Sequence, residues 1–141
     1  MMKPPPAPAP LPAIKAGLLY FLIVFAAGFV LGSVRTLVLA PRLGEVAAVL
    51  LELPLLLAIA WFTCRRLTAA LAVSPDPRAR IIMGELAFVL TILAEVVLGA
   101  LLGRSVLDVF AGFATTAGLL GLAGQALFGV FPLLQALPRR S

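Results

Sequence analysis

The sequence predicts an all-α integral membrane protein, a four-helix bundle with a short extra helix lying in the interface on its outer side. Three observations carry that fold class. Apolar residues make up 62% of the 141-residue chain and charged residues only 12%, against about 25% charged in an ordinary soluble domain. A soluble fold of this size could not hide so much apolar side chain. The apolar residues also gather into four runs long enough to cross a bilayer, and most of the charges fall between those runs.

The chain divides into a proline-rich, disordered tail over residues 1–14 and a membrane domain over 15–141, with spans at about 16–36, 44–64, 81–102 and 116–137. "KPPPAPAPLP" at residues 3–12 holds six prolines, which disfavours a helix and favours extended polyproline II chain. A solvated leader is the plainer reading of it, and docking of a partner is the rival. The first span resembles a signal peptide, with Lys3 and Lys15 as a basic region. It is too long for that, and no small-residue cleavage site follows it, so a retained span is expected. The second span ends in "WFTCRR", which places Trp61 near a boundary. Thr115 or Thr116 is placed to cap the fourth. In "RSVLDVFAGF", residues 104–113, Ser105 and Asp108 have capping-box spacing. Val106, Leu107, Val109, Phe110 and Phe113 make a broad apolar face, hence the interfacial helix.

Direction follows from the basic flanks. Lys3, Lys15, Arg65, Arg66, Arg78, Arg80, Arg139 and Arg140 share one side, and Arg35, Arg42 and Arg104 the other, eight against three. The positive-inside rule then expects both termini in the cytoplasm of an inner, or plasma, membrane crossed several times. The net charge of +5 does not point to nucleic acid, because the basic residues have no aromatic interleaving. Membrane lipids are the expected partners, with a second copy of the chain or another membrane protein left open. Cys64 is the single cysteine and histidine is absent, so no intrachain disulfide, histidine haem ligand, zinc–histidine site or Ser-His-Asp triad is available. No cofactor and no metal are expected.

Charge inside the spans is the sharpest signal, since an embedded acid costs about 2.5–3.5 kcal/mol at mid-span. Glu52 lies eight residues into the second span and Glu95 eight residues before Gly103. Both fall roughly 12 Å from the outer boundary on antiparallel helices. Arg35 and Arg104 sit slightly higher, and Glu45 opens the second span. The expectation is a buried cluster of Arg35, Glu45, Glu52, Glu95 and Arg104 in the outer half, with Glu52 and Glu95 as its core pair. Arginine suits such a site because its planar guanidinium grips carboxylates with parallel hydrogen bonds. Two acids so close in low dielectric do not both ionise easily. Pro54 frees the carbonyl of Leu50, and a kink there would open a polar pocket beside Glu52. Glu85, near the other end of the third span, is expected to pair with Arg78 or Arg80.

Small residues mark expected helix contacts. These are Gly28 and Gly32, Gly99 and Gly103, and a stripe in the fourth span through Ala117, Gly121, Gln125 and Gly129, where Gln125 can hydrogen-bond across the contact.

The run "GxxxGxxR…PRLGExAxxLxExP", from Gly28 to Pro54, resembles an uncharacterised family of small four-span integral membrane proteins of bacteria. The resemblance implies the four-span fold and no activity. It sets the chain apart from the small multidrug transporters, whose essential acid lies in the first span, because this first span carries none. Two functions compete. One is a structural or accessory membrane protein held together by its embedded charges. The other is a small proton- or cation-coupled transporter or channel using Glu52 and Glu95. An enzyme ranks third, because Asp76 and Asp108 lie outside the spans and no nucleophile–base pair is visible.

Overall fold

The computed structural model describes residues 2–7 and 9–138. Pro8 of the expected tail and the basic pair Arg139 and Arg140 lie outside the described residues. The fold is all-α. Helix α1 spans Leu11–Leu43, α2 Glu45–Ala70, α3 Pro77–Leu101, the short α4 Val106–Phe113, and α5 Thr116–Ala136. The four long helices are apolar and long enough to cross a membrane. Large apolar side chains cover their outer surface, among them Leu22, Phe29, Leu55, Phe62, Val97 and Leu119, each more than half exposed. Such a surface suits hydrocarbon and not water.

Helix α1 begins earlier and ends later than the sequence predicts. It starts at Leu11, inside the expected proline-rich tail, because Pro12 falls in the first turn, where a missing N–H costs nothing. It runs on past residue 36 to Leu43 through a five-residue π turn, Arg35–Leu39. Pro41 explains that turn. Its ring presses on the carbonyl of Leu37 and offers it no donor, and the helix relieves the conflict by widening just before it. A single residue, Gly44, then links α1 to α2, with φ +84°. Any side chain there would be strained even though the space is open.

The helices form a ring in which α1 packs on α2 and α3, and α5 packs on α2 and α3. Consecutive helices α2 and α3 therefore face each other across a diagonal, joined by the loop of residues 71–76. Helix α3 is opened by Asp76, whose carboxylate accepts from the Arg78 N–H. It closes at Gly103 with φ +83°, where the Arg104 N–H reaches the Gly99 carbonyl and the Gly103 N–H the Ala100 carbonyl, a Schellman ending. The capping box of α4 is present, with Asp108 N–H bonded to Ser105 Oγ at 3.1 Å and the Ser105 N–H to Asp108 Oδ2 at 3.3 Å. Only Val109 of its apolar face is buried. Thr115 caps α5 by accepting from the Gly118 N–H at 3.0 Å.

The core occupies the half of the bundle nearest the 71–76 loop. Tyr20, Cys64, Met83 and Pro132 are fully buried there, packed with Ala16, Ala60, Ala87, Phe128 and Phe131. Pro132 inside α5 cannot donate to the carbonyl of Phe128. Tyr20 crosses the diagonal from α1 and donates its hydroxyl to that carbonyl at 2.7 Å, its ring 4.3 Å from that of Phe128. The freed backbone acceptor is thus satisfied by another helix, as a hydrocarbon surrounding requires.

Close approach uses Gly99 and Gly129 of the expected contact residues, and Gly17, Gly84 and Gly124 besides. A Cβ on Gly84 of α3 would collide with the backbone carbonyl of Gly129 of α5, and one on Gly17 of α1 would stand 2.9 Å from the Met83 carbonyl. On Gly124 it would meet Leu53 at 2.6 Å, and on Gly99 it would meet Val109 at 2.5 Å. Gly28 has only ordinary contact, with Leu56 at 3.7 Å; Gly121 has nothing within 4 Å; and Gly103 belongs to the helix ending rather than to a contact. The glycine spacing is common in apolar helices and does not by itself say which face meets a neighbour.

Two outcomes follow. Gly84→Ala should cost about 1–3 kcal/mol through overpacking, whereas Gly121→Ala should leave stability unchanged or raised, as read by unfolding in detergent micelles. Tyr20→Phe should cost about 1 kcal/mol. Less should be lost in a Pro132→Ala background, where an N–H is restored to serve Phe128, and a double-mutant cycle measures the difference.

Candidate functional site

At the other end of the bundle, nearest Gly44, the ring of helices opens around a cavity of about 870 Å³. Glu45, Glu52, Glu95, Arg35, Arg104 and Gln125 all contribute to its walls, and Val24, Ala60 and Phe128 are among its deepest lining residues. Below them the core layer of Tyr20 and Met83 is solid. The cavity is therefore a vestibule, open at one end of the bundle and filled at the other.

Arg35 is its organising residue. Its Nε donates to Glu52 Oε2 at 2.5 Å, and Nη1 lies 3.5 Å from Glu45 Oε2. The pairing follows from the hairpin: Arg35 stands nine residues before Gly44 and Glu52 eight after it, so antiparallel packing brings them level. Gly32 lies beneath, where a Cβ would be 3.7 Å from Arg35 Nη2 and 3.8 Å from Glu52 Oε1. Both are ordinary contact distances, so Gly32 lies beside the pair without being required by it. Glu45, at the first position of α2, also answers the positive end of that helix.

The expected buried five-residue cluster does not form. Side-chain exposures of 26% for Arg35, 12% for Glu52 and 64% for Glu45 describe a partly solvated triad. Among the described residues these are the two ion pairs present. Glu95 does not meet Glu52, because α2 and α3 lie across the diagonal. It accepts instead a short hydrogen bond from Gln125 Nε2 of the adjacent α5, a neutral partner. The amide oxygen of the same side chain, Gln125 Oε1, is buried without a partner. Arg104 joins neither acid, since the turn at Gly103 redirects the chain and its Nη2 donates to the Asp108 carbonyl at 3.0 Å. Pro54 sits inside an unbroken α2, and it is Leu53, not Pro54, that lines the cavity.

At the opposite end, Glu85 is exposed and forms no ion pair with Arg78 or Arg80. Arg80 has turned inward instead, donating to the carbonyls of Ser74, Pro132 and Val73 at 3.0, 3.2 and 3.5 Å. Of the polar residues lining the large cavity, Thr91 had no sequence signal; its hydroxyl is spent on the Ala87 carbonyl at 2.8 Å. No group of three potential metal ligands occurs among the described residues.

The architecture is that of a small polytopic membrane protein. No family model, curated protein or solved structure matches the chain. The likeness of Gly28–Pro54 to four-span bacterial proteins thus stands on the hairpin's residues and has no family match behind it.

Removing one partner of the Arg35–Glu52 pair strands the other in apolar surroundings. Arg35→Leu should cost about 1.5–3 kcal/mol, and Glu45→Gln less than about 0.5 because Glu45 is largely exposed. The double variant Arg35→Leu/Glu52→Leu should recover most of the single-variant loss, as measured by chemical unfolding in micelles.

Proposed function

We propose that the chain is a structural or accessory protein of a bacterial inner membrane, non-enzymatic, with both termini cytoplasmic and α4 resting in the outer interface. Membrane lipids and a further membrane protein, or a second copy, are its partners on this reading. One observation carries it. Each embedded acid is engaged by a side chain of the neighbouring helix, Glu52 by Arg35 and Glu95 by Gln125, while the opposite half of the bundle is a filled core. Groups arranged in this way hold helices together, and they leave no open path between the two ends. The unequal basic flanks support the orientation, and the exposed apolar face of α4 supports its interfacial position.

A second reading has one observation in its favour. Glu95 faces the cavity with only a neutral amide beside it, which leaves a carboxylate free to take up a proton or a cation, as a small coupled transporter or channel requires. Flux measurements on the purified chain in liposomes separate the two. The structural reading expects no proton or cation flux under an imposed gradient, together with a lowered unfolding midpoint for Glu52→Gln. Flux in the unmodified chain that Glu95→Gln abolishes would establish the transporter.

A further inference from the structure

A second, smaller cavity of about 310 Å³ lies at the 71–76 end of the bundle, between α2, α3 and α5. Its walls include Trp61, Arg65, Thr68, Arg80 and Gln135. It is unlike the large cavity in one respect: it holds two cations and no acid.

Arg80 is the decisive residue. It is 8% exposed, and among the described residues no carboxylate lies within ion-pair distance of it. Three of its nitrogens are committed to backbone carbonyls. Those bonds satisfy donors and leave the positive charge without an opposite charge. A guanidinium has five N–H groups, so two remain for a ligand. Burying an unneutralised cation is costly, and a protein keeps one where an anion arrives to meet it. Arg65, one helix away and exposed, lines the same cavity and adds a second positive charge at its mouth.

The remaining walls narrow the anion. Gln135 Nε2 donates to the Trp61 carbonyl at 2.9 Å, which fixes the amide's orientation and leaves Gln135 Oε1 buried and unpartnered. That acceptor calls for a donor on the ligand. Trp61, packed edge-on against Phe131 at 5.1 Å, marks the level where aromatic side chains meet lipid headgroups. The outward faces of the flanking helices are apolar at Phe62 and Leu134.

We propose that this cavity binds a phosphate group on an anionic lipid, with Arg80 and Arg65 gripping the phosphate and Gln135 Oε1 accepting from a headgroup hydroxyl such as that of glycerol. Free phosphate shares the anionic chemistry. It lacks the acyl chains that would lie along Phe62 and Leu134. Arg80 also supports the loop and the end of α5, so its removal would unfold that end. The test therefore falls on Arg65, which is exposed and makes no ion pair among the described residues.

The experiment uses the full chain, purified and delipidated in non-ionic detergent, and reads lipid binding by native mass spectrometry and by the shift in unfolding temperature. Phosphatidylglycerol should bind more tightly than phosphatidylcholine, whose choline cation faces two arginines. Arg65→Gln should weaken phosphatidylglycerol about five- to tenfold, and Arg66→Gln, exposed and outside the cavity, should not. Millimolar inorganic phosphate should neither bind nor compete. Equal binding of the two lipids would overturn the proposal. Equal losses in the Arg65 and Arg66 variants would do the same, by reducing the effect to general surface charge. Inorganic phosphate binding as tightly as phosphatidylglycerol would reject the lipid as the source of the phosphate.

Discussion

Hydrocarbon offers no hydrogen bonds, and most features of this bundle answer that constraint. Where Pro132 interrupts the ladder of α5, the hydroxyl of Tyr20 arrives from across the ring to meet the stranded carbonyl. Where Glu52 enters α2, Arg35 is level with it on α1. Where Glu95 sits in α3, the amide of Gln125 meets it from α5. All three partnerships run between different helices, two of them between neighbours and one across the ring, so the polar groups help fix the arrangement of the helices. Packing of small residues, at Gly17, Gly84 and Gly124, then sets how closely they approach.

The two ends of the molecule differ in kind. Near the 71–76 loop the interior is filled by Tyr20, Met83, Cys64 and Phe128, and the backbone carbonyls there are gathered by Arg80. Near Gly44 the helices surround a mainly apolar cavity, with the polar contacts Arg35–Glu52 and Gln125–Glu95 reaching between helices. This asymmetry puts the open part of the interior at the Gly44 end and the filled part at the 71–76 end.

Much of the fold was legible in the sequence, because apolar run length and caps act locally. Ser105 with Asp108 fixed the start of α4, and Thr115 that of α5. The partners of the charges were harder to read. Pro41 looks like a helix breaker, and taking it as one hides that α1 continues to Leu43, which alone puts Arg35 at the level of Glu52. The Glu52–Glu95 pair was expected from equal depth on antiparallel helices, but depth does not say which helices touch, and nothing local in residues 71–76 announces that these two lie across a diagonal. Tyr20 was recoverable in principle. A mid-span proline such as Pro132 requires a foreign donor, and the chain's single tyrosine is a natural one. The contact of Gly84 with Gly129 was only half legible: Gly129 lies in the small-residue stripe of the fourth span, but nothing in spacing or composition says that Gly84 will face it.

The one-residue link at Gly44 has a consequence for how the protein is made. With a single residue between them, α1 and α2 have little freedom to sit apart, which favours entry into the membrane as a closed hairpin. In that hairpin Arg35 already faces Glu52 and Glu45, so the one-to-one pair of Arg35 with Glu52 leaves only the exposed Glu45 as uncompensated charge. The ion pair that holds the finished bundle is thus also what makes its first half insertable.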